Sequence, residues 1–166
     1  MIDIYFSNST NKKTKDWEKL AIELLSTAYT VLKLKNEVNL SINFVDSKEA
    51  LEINKKFRNK TYIPDVLSFP IQMSKQEIEI VGIQEIGDIF ICPEEAHKKS
   101  LKYNHTDKEE MAFLIVHGFL HLMGYDHEVN QEQEEIMFKL QDQILNLNNV
   151  EYKITFIEKD YLREEN

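Results

Sequence analysis

The sequence predicts a single α/β (α+β) domain, a small mixed sheet packed with several helices around a central, metal-bearing helix. Three observations carry that prediction. Stretches of alternating apolar residues are interspersed with stretches of three- and four-residue apolar spacing, the pattern of strands and helices sharing one core. The segment from Thr106 to about Gly124 is apolar almost all round, as only a buried helix is. Three histidines, His117, His121 and His127, stand in and just beyond that segment. A chain of 166 residues holds one such core and has no comfortable room for a second.

Taken in order, Ile2 to Phe6 reads as a first strand. Thr14 to about Lys33 reads as a helix, because Trp17, Leu20, Ala21, Leu24, Leu25, Ala28, Val31 and Leu32 form one stripe. Leu40, Ile42 and Phe44 alternate with Ser41 and Asn43, so a half-buried strand runs to Val45. Asp46 with Glu49 marks a helix start, and that helix reaches about Phe57. Arg58 to Pro64 is polar and turn-like, and Val66 to Phe69 is a short apolar piece closed by Pro70. Ile71 to Ile86 shows no period and reads as a loop or hairpin excursion. Gly87 introduces a strand over Asp88 to Cys92, and Pro93 suits the first turn of a helix to about Tyr103.

Thr106 and Glu109 form a capping box for the central helix, which Gly124 ends. A last helix from about Gln131 to Leu147 places Ile136, Leu140, Ile144 and Leu147 on one stripe. The domain so defined spans 1–150. Residues 151–166 form a charged tail in which Tyr152, Ile154 and Phe156 alternate, either an edge strand or a loosely attached end, with no role assigned.

Composition narrows the function classes. Apolar residues make up 42% and charged residues 30%, ordinary for a soluble globular protein. The one cysteine, Cys92, cannot form an internal disulfide and reads as a buried small residue at a strand end, which favours a reducing compartment. No apolar run reaches the roughly 20 residues of a membrane span. Met1 to Thr10 lacks the basic-then-apolar order of a signal peptide. The expectation is a cytoplasmic protein with no membrane partner. A net charge of −9 disfavours general attraction to nucleic acid, so only local basic clusters count.

His117 and His121 are four residues apart, hence one turn apart on one helix face, and both imidazoles reach a single ion. His127 lies six residues further, where a continued helix would carry it away. Gly124 can take the left-handed conformation that ends the helix and turns His127 back. Three neutral imidazoles suit zinc, with nickel, copper or iron as alternatives. Three protein ligands leave one tetrahedral position open, the pattern of a catalytic site, where a bound water has its pKa lowered to about 7. Histidines on a buried helix need partners in any case, and a metal satisfies both. His97 and His105 stand in polar surroundings and read as surface residues.

The spacing of the three histidines and the glycine is shared with metzincin proteases, which carry a glutamate as general base directly after the first histidine. Here that position is Gly118, so peptide hydrolysis by that route lacks its base. Asp126, beside the third ligand, either handles a proton or orients an imidazole.

Residues His117 to His127 match the pattern His-Gly-x-Leu-His-Leu-x-Gly-Tyr-Asp-His at every defined position. Asn54, Phe57, Arg58 and the run Asp65-Val66-Leu67-Ser68-Phe69, and then Gly87-Asp88-Ile89, supply two further blocks in the same order. In these blocks the chain resembles the YbeY family of bacterial rRNA maturation factors, metal-dependent endoribonucleases, over about residues 1–150. It departs at Pro64, where the family usually has threonine, and the tail beyond about Val150 has no counterpart in the resemblance. The resemblance implies cleavage of single-stranded RNA, 3′-end maturation of rRNA and ribosome quality control, with the ribosome and ribosomal proteins as partners. It also implies that Arg58 binds the scissile phosphate and offsets charge developing in the transition state.

Lys55, Lys56, Arg58 and Lys60 form a basic cluster in an acidic chain. They suit phosphate oxygens, and equally the end of a helix, where cations complement the dipole. Two rivals stand beside the nuclease. One is a zinc metallopeptidase-like hydrolase with its base supplied from elsewhere. The other is a non-catalytic ribosome assembly factor whose metal is structural. Within the nuclease reading the nucleophile is either hydroxide or the RNA 2′-OH.

Overall fold

Four extended segments, β1 (Ile2–Asn8), β2 (Glu37–Phe44), β3 (Val66–Pro70) and β4 (Ile83–Ile91), form one sheet in this computed structural model, which describes residues 1–152. Their order is β1-β2-β4-β3; the first three run parallel and β3 pairs antiparallel along the edge. The alternation of β2 is complete, with Val38, Leu40, Ile42 and Phe44 buried and the residues between them half-buried. Parallel neighbours need crossover connections, and helices supply them. α1 (Lys15–Val31) joins β1 to β2, while α2 (Ser47–Arg58), β3 and α3 (Lys75–Val81) precede β4. α4 (Pro93–Tyr103), α5 (Asp107–Leu122) and α6 (Gln131–Leu147) complete the described chain.

The buried face of the sheet carries α1 and α5, and α6 packs over both of them, while α4 closes the remaining flank of α5. Every residue of α5 from Glu110 to Leu120 is therefore buried. Phe113 and Phe119 each contribute roughly 1.5–3 kcal/mol by leaving water. The helix starts at the capping box, with Thr106 Oγ1 accepting from Glu109 N and Glu109 Oε1 accepting from Thr106 N. Asp46 likewise accepts from Glu49 N at the start of α2. The opposite face of the sheet is polar, a ladder from Ser7 through Asn43 and Ser41 to Asp88. At one end of that face a small second core gathers Val45, Ala50 and the buried Cys92.

The structure corrects four expectations. Within 71–86 lie a seven-residue helix, α3, and the start of β4. Gly87 therefore stands inside a strand, where the pairing of β2 with β4 steps from Asn39↔Glu85 to Leu40↔Gly87 and leaves Ile86 as an extra residue. Gly87 takes φ 128°, and a Cβ there would meet the Phe69 carbonyl oxygen at 2.1 Å. The buried stripe of α6 is Met137, Gln141, Ile144 and Leu145; Ile136 and Leu147 face solvent.

His105 is not a surface residue. Its side chain is 6% exposed, its Nδ1 faces Glu110 Oε2 at 3.3 Å, and its ring packs 4.4 Å from Tyr152. Tyr152 donates its hydroxyl to both oxygens of the buried Glu110, at 2.7 and 2.8 Å, so the start of the tail is docked on α5. His97 is exposed as expected and pairs with Asp107 at 2.8 Å. Ile154 and Phe156 lie outside the described residues.

Candidate metal centre and cleft

His117 and His121 share a face of α5, and their ring centroids lie 4.5 Å apart. α5 ends where Met123 N, Gly124 N and Tyr125 N donate to Phe119 O, His121 O and Leu120 O, each at 3.0 Å. Gly124 takes φ 95°, which turns the chain back. Asp126 Oδ1 then accepts from Glu128 N at 2.9 Å and tightens the turn that carries His127. His127 arrives with its ring centroid 5.2 Å from each of the other two and 6.0 Å from Phe138 of α6. One nitrogen from each imidazole lies within 4.8 Å of the others.

The donor chemistry fits a metal. His117 Nδ1 lies 2.6 Å from Gln141 Oε1, which can only accept, so Nδ1 carries the proton and Nε2 presents its lone pair. That Nε2 faces His121 Nε2 at 3.0 Å. Two zinc ligands at about 2.0 Å in a tetrahedron sit roughly 3.3 Å apart, close to that spacing. Burial and neighbouring charge favour the neutral form of His117 and His121. Burial, then the charges that His121 and His127 would carry, hold His117 well below the ordinary histidine value. Burial and His127 bring His121 down to about 4, against the raising effect of Asp126 and a backbone hydrogen bond with Tyr125. Neutral imidazole is the form that binds metals.

His117 and His121 open onto a cleft of about 370 Å³, with His127 behind its lining. His117, His121, Gly124, Tyr125, Asp126 and Glu128 line one wall; Arg58, Tyr62, Pro64, Asp65 and the outward residues of β3 line the other. Arg58 ends α2, and Asn59 follows it in the left-handed conformation at φ 58°. The buried Asn54 ties this corner down, its side-chain amide donating to Tyr62 O at 3.0 Å and its main-chain carbonyl accepting from Lys60 N at 3.2 Å. Arg58 is close enough for its charge to disfavour protonation of His121. Lys55, Lys56 and Lys60 are not among the lining residues; Lys55 and Lys56 are exposed on α2, and Lys56 Nζ lies 5.2 Å from the Phe57 ring centroid.

Three groups that shape the site were given no role from the sequence, although Asp65 and Ser68 stand in one of the blocks that carry the resemblance. Gln141 sits between Met137 and Leu145 on a buried helix face, and one polar residue on an otherwise apolar stripe was the available signal. Asp65 is 2% exposed at its side chain, binds Lys99 Nζ at 2.7 Å and accepts from Val66 N at 2.8 Å, fixing the start of β3 against α4. Ser68 donates to Gly118 O at 3.3 Å, joining β3 to α5. Gly118 has its own reason to be glycine. A Cβ there would stand 3.2 and 3.3 Å from Ile89 and 3.3 Å from Ser68 Oγ, so α5 meets the sheet at that point and leaves no space for a glutamate.

A family model described as Endoribonuclease YbeY matches residues 4–164. A protein of that name from Mesoplasma florum is 59% identical over 161 residues, 97% of this chain and 95% of its own length. One from Mycoplasma capricolum is 50% identical over 98% of each chain, and one from Staphylococcus saprophyticus 43% identical over 88% of this chain and 95% of its own. Among solved structures, the solution structure of TM1509 from Thermotoga maritima aligns with a TM-score of 0.57 at 27% identity, covering 90% of this chain and 92% of that one. Among the described residues, no helix is long and apolar enough to cross a membrane.

Proposed function

The chain belongs to the Endoribonuclease YbeY family, and we propose that it cuts single-stranded RNA in the cleft between Arg58 and the three histidines. The observation that carries this reading is that one cleft is lined both by His117 and His121 of the three-imidazole cluster and by Arg58, an arginine free of any ion pair among the described residues. His117, His121 and His127 hold the metal, for which zinc suits three neutral nitrogens best. When bound, zinc supplies a Lewis acid beside the phosphate oxygens.

The chain's own residues do the remaining work. Gln141 keeps His117 in the tautomer that presents Nε2. Arg58 takes the scissile phosphate and offsets the charge that develops on it. Lys55, Lys56 and Lys60 draw the RNA backbone toward that corner. Asp126 already spends Oδ1 on the turn, and its charge favours protonated His121, so it acts as orienter or proton carrier at that ring. Gly118 directs the chemistry away from peptides, because the position of a metzincin base is filled by the sheet. We extend the reading to 3′-end maturation of rRNA and ribosome quality control in the cytoplasm. There the acidic body, at −9, suits basic ribosomal proteins.

Metal content and cleavage of an unstructured oligoribonucleotide, measured on the same samples of wild type, His121→Ala and Arg58→Glu, test this. Wild type should hold a single ion per chain and cleave; His121→Ala should lose both; Arg58→Glu should keep the metal and lose cleavage. Cleavage that persists after the metal is stripped would overturn the metal's part. Metal loss that unfolds the chain, with no cleavage by the loaded form, would favour a structural metal. A 2′,3′-cyclic phosphate on the product would assign the RNA 2′-OH as nucleophile.

A further inference from the structure

We infer that Phe57 is a stacking platform for an unpaired base of the RNA whose phosphate Arg58 holds, an inference that rests on the cleft reading above. Phe57 is the residue before Arg58 in the last turn of α2, and it is 62% exposed. A ring this exposed is usually loose, but this one is braced. It meets Phe69 edge-on at 5.7 Å and 69°, and Phe69 meets Phe90 edge-on at 5.8 Å and 79°. Phe69 belongs to the edge strand whose neighbouring residues Ser68 and Pro70 line the cleft. Side chains alternate along β3, so the Phe69 ring and Phe57 packed against it lie on the face away from the cleft, and Phe57 adjoins the cleft through the next residue, Arg58, which lines it.

Its surroundings select the occupant. Lys55, Lys56 and Arg58 flank it, and none of the three forms an ion pair among the described residues, in a chain with 29 acidic and 20 basic side chains. Lys56 Nζ already stands over this ring, 5.2 Å from its centroid, on a flexible side chain that can give way to a base and meet the adjoining phosphate. Tyr5, 70% exposed on β1, shares its surroundings with Asp3, Glu85 and Asp88, and Ile80 at 84% and Val81 at 60% end a helix with no basic residue in its last turn, so these exposed apolar groups lack that chemistry. Stacking also supplies a selectivity. A paired base has both faces covered within its duplex, so only an unpaired one can use the ring, and duplex RNA is disfavoured without any contact to base edges.

The test uses the full, metal-loaded chain and two labelled 2′-O-methyl oligomers of equal length, one of uridine and one abasic, with binding followed by fluorescence anisotropy. Phe57→Leu keeps an apolar contact to Phe69 and should bind the uridine oligomer about tenfold more weakly than wild type, with unchanged affinity for the abasic one. Phe57→Trp should retain wild-type affinity, and its added fluorescence should be quenched by the uridine oligomer and not by the abasic one. Equal uridine affinity of wild type and Phe57→Leu, with Arg58→Glu weakened for both oligomers, would overturn the platform and leave the cleft reading intact. Equal losses on the two oligomers would make Phe57 a mere support for Arg58 and also overturn it. Wild type that binds neither oligomer would sink the RNA reading itself.

Discussion

The two walls of the cleft differ in what holds their side chains. His117 is 2% exposed, bonded through Nδ1 to Gln141 and packed on Phe113 at 5.1 Å. Arg58 sits at an exposed helix end, anchored only through its backbone by the Asn54 corner. The histidine wall is therefore set before anything binds, as a metal centre must be, because ligands placed loosely cost affinity. The Arg58 wall can adapt to a flexible polymer. Damage to the first wall should register in metal affinity and stability together, and damage to the second in RNA handling alone.

The sharpest way to break that contrast is His121→Ala, which should remove stoichiometric metal in elemental analysis and abolish RNA cleavage. Arg58→Glu should lower cleavage by roughly a hundredfold or more while moving stability by no more than about 0.5 kcal/mol in a denaturant titration. A large loss of stability there would mean that the exposed wall is structural after all. Gln141→Leu leaves the buried His117 Nδ1–H without its acceptor, and should weaken metal binding about 10–100-fold in competition with a chelator and cost about 1–3 kcal/mol of stability. Unchanged affinity would show that the tautomer is held some other way. Gly118→Ala should shift stability by no more than about 1 kcal/mol, because crowding against Ile89 is offset by the helix propensity alanine gains over glycine, with the metal retained.

A smaller effect is expected in pH. Burial and His127 lower His121 from 6.5 to about 4 in the folded chain. The unfolded chain takes up that proton below about 6.5, and the folded chain only near 4, so more protons bind to the unfolded state in between. Stability of the metal-free protein should fall as pH drops through that window and change little above pH 7. Melting temperatures across it, compared with His121→Ala, would check the assignment; an equally steep fall in the variant would place the effect elsewhere.

Much of this was readable from the chain, for physical reasons that also explain the rest. The capping box, the stripe of α1 and the turn at Gly124 are local, set by residues a few positions apart. The three histidines fall within eleven residues, so their convergence follows from helix geometry and a single glycine. α3 was missed because it buries no residue and has no stripe to detect. The face of α6 was misplaced because its key position is a glutamine, whose burial depends on a histidine on another helix. His105 was misread because the group that covers it, Tyr152, lies far along the chain. The Asp65–Lys99 pair joins a strand start to a helix with no local pattern between them.

The hydrogen bond from His117 to Gln141 spans 24 residues, and Tyr152 reaches back to Glu110 across 42. A chain leaving the ribosome thus displays all three histidines before it has made the amide that orders the first of them. Until residue 152 is free, Glu110 lacks the hydroxyl that satisfies its buried carboxyl. Synthesis order therefore delays the finished arrangement until Tyr152 has emerged, so a chain ending before it carries the three histidines without the contacts that complete their surroundings.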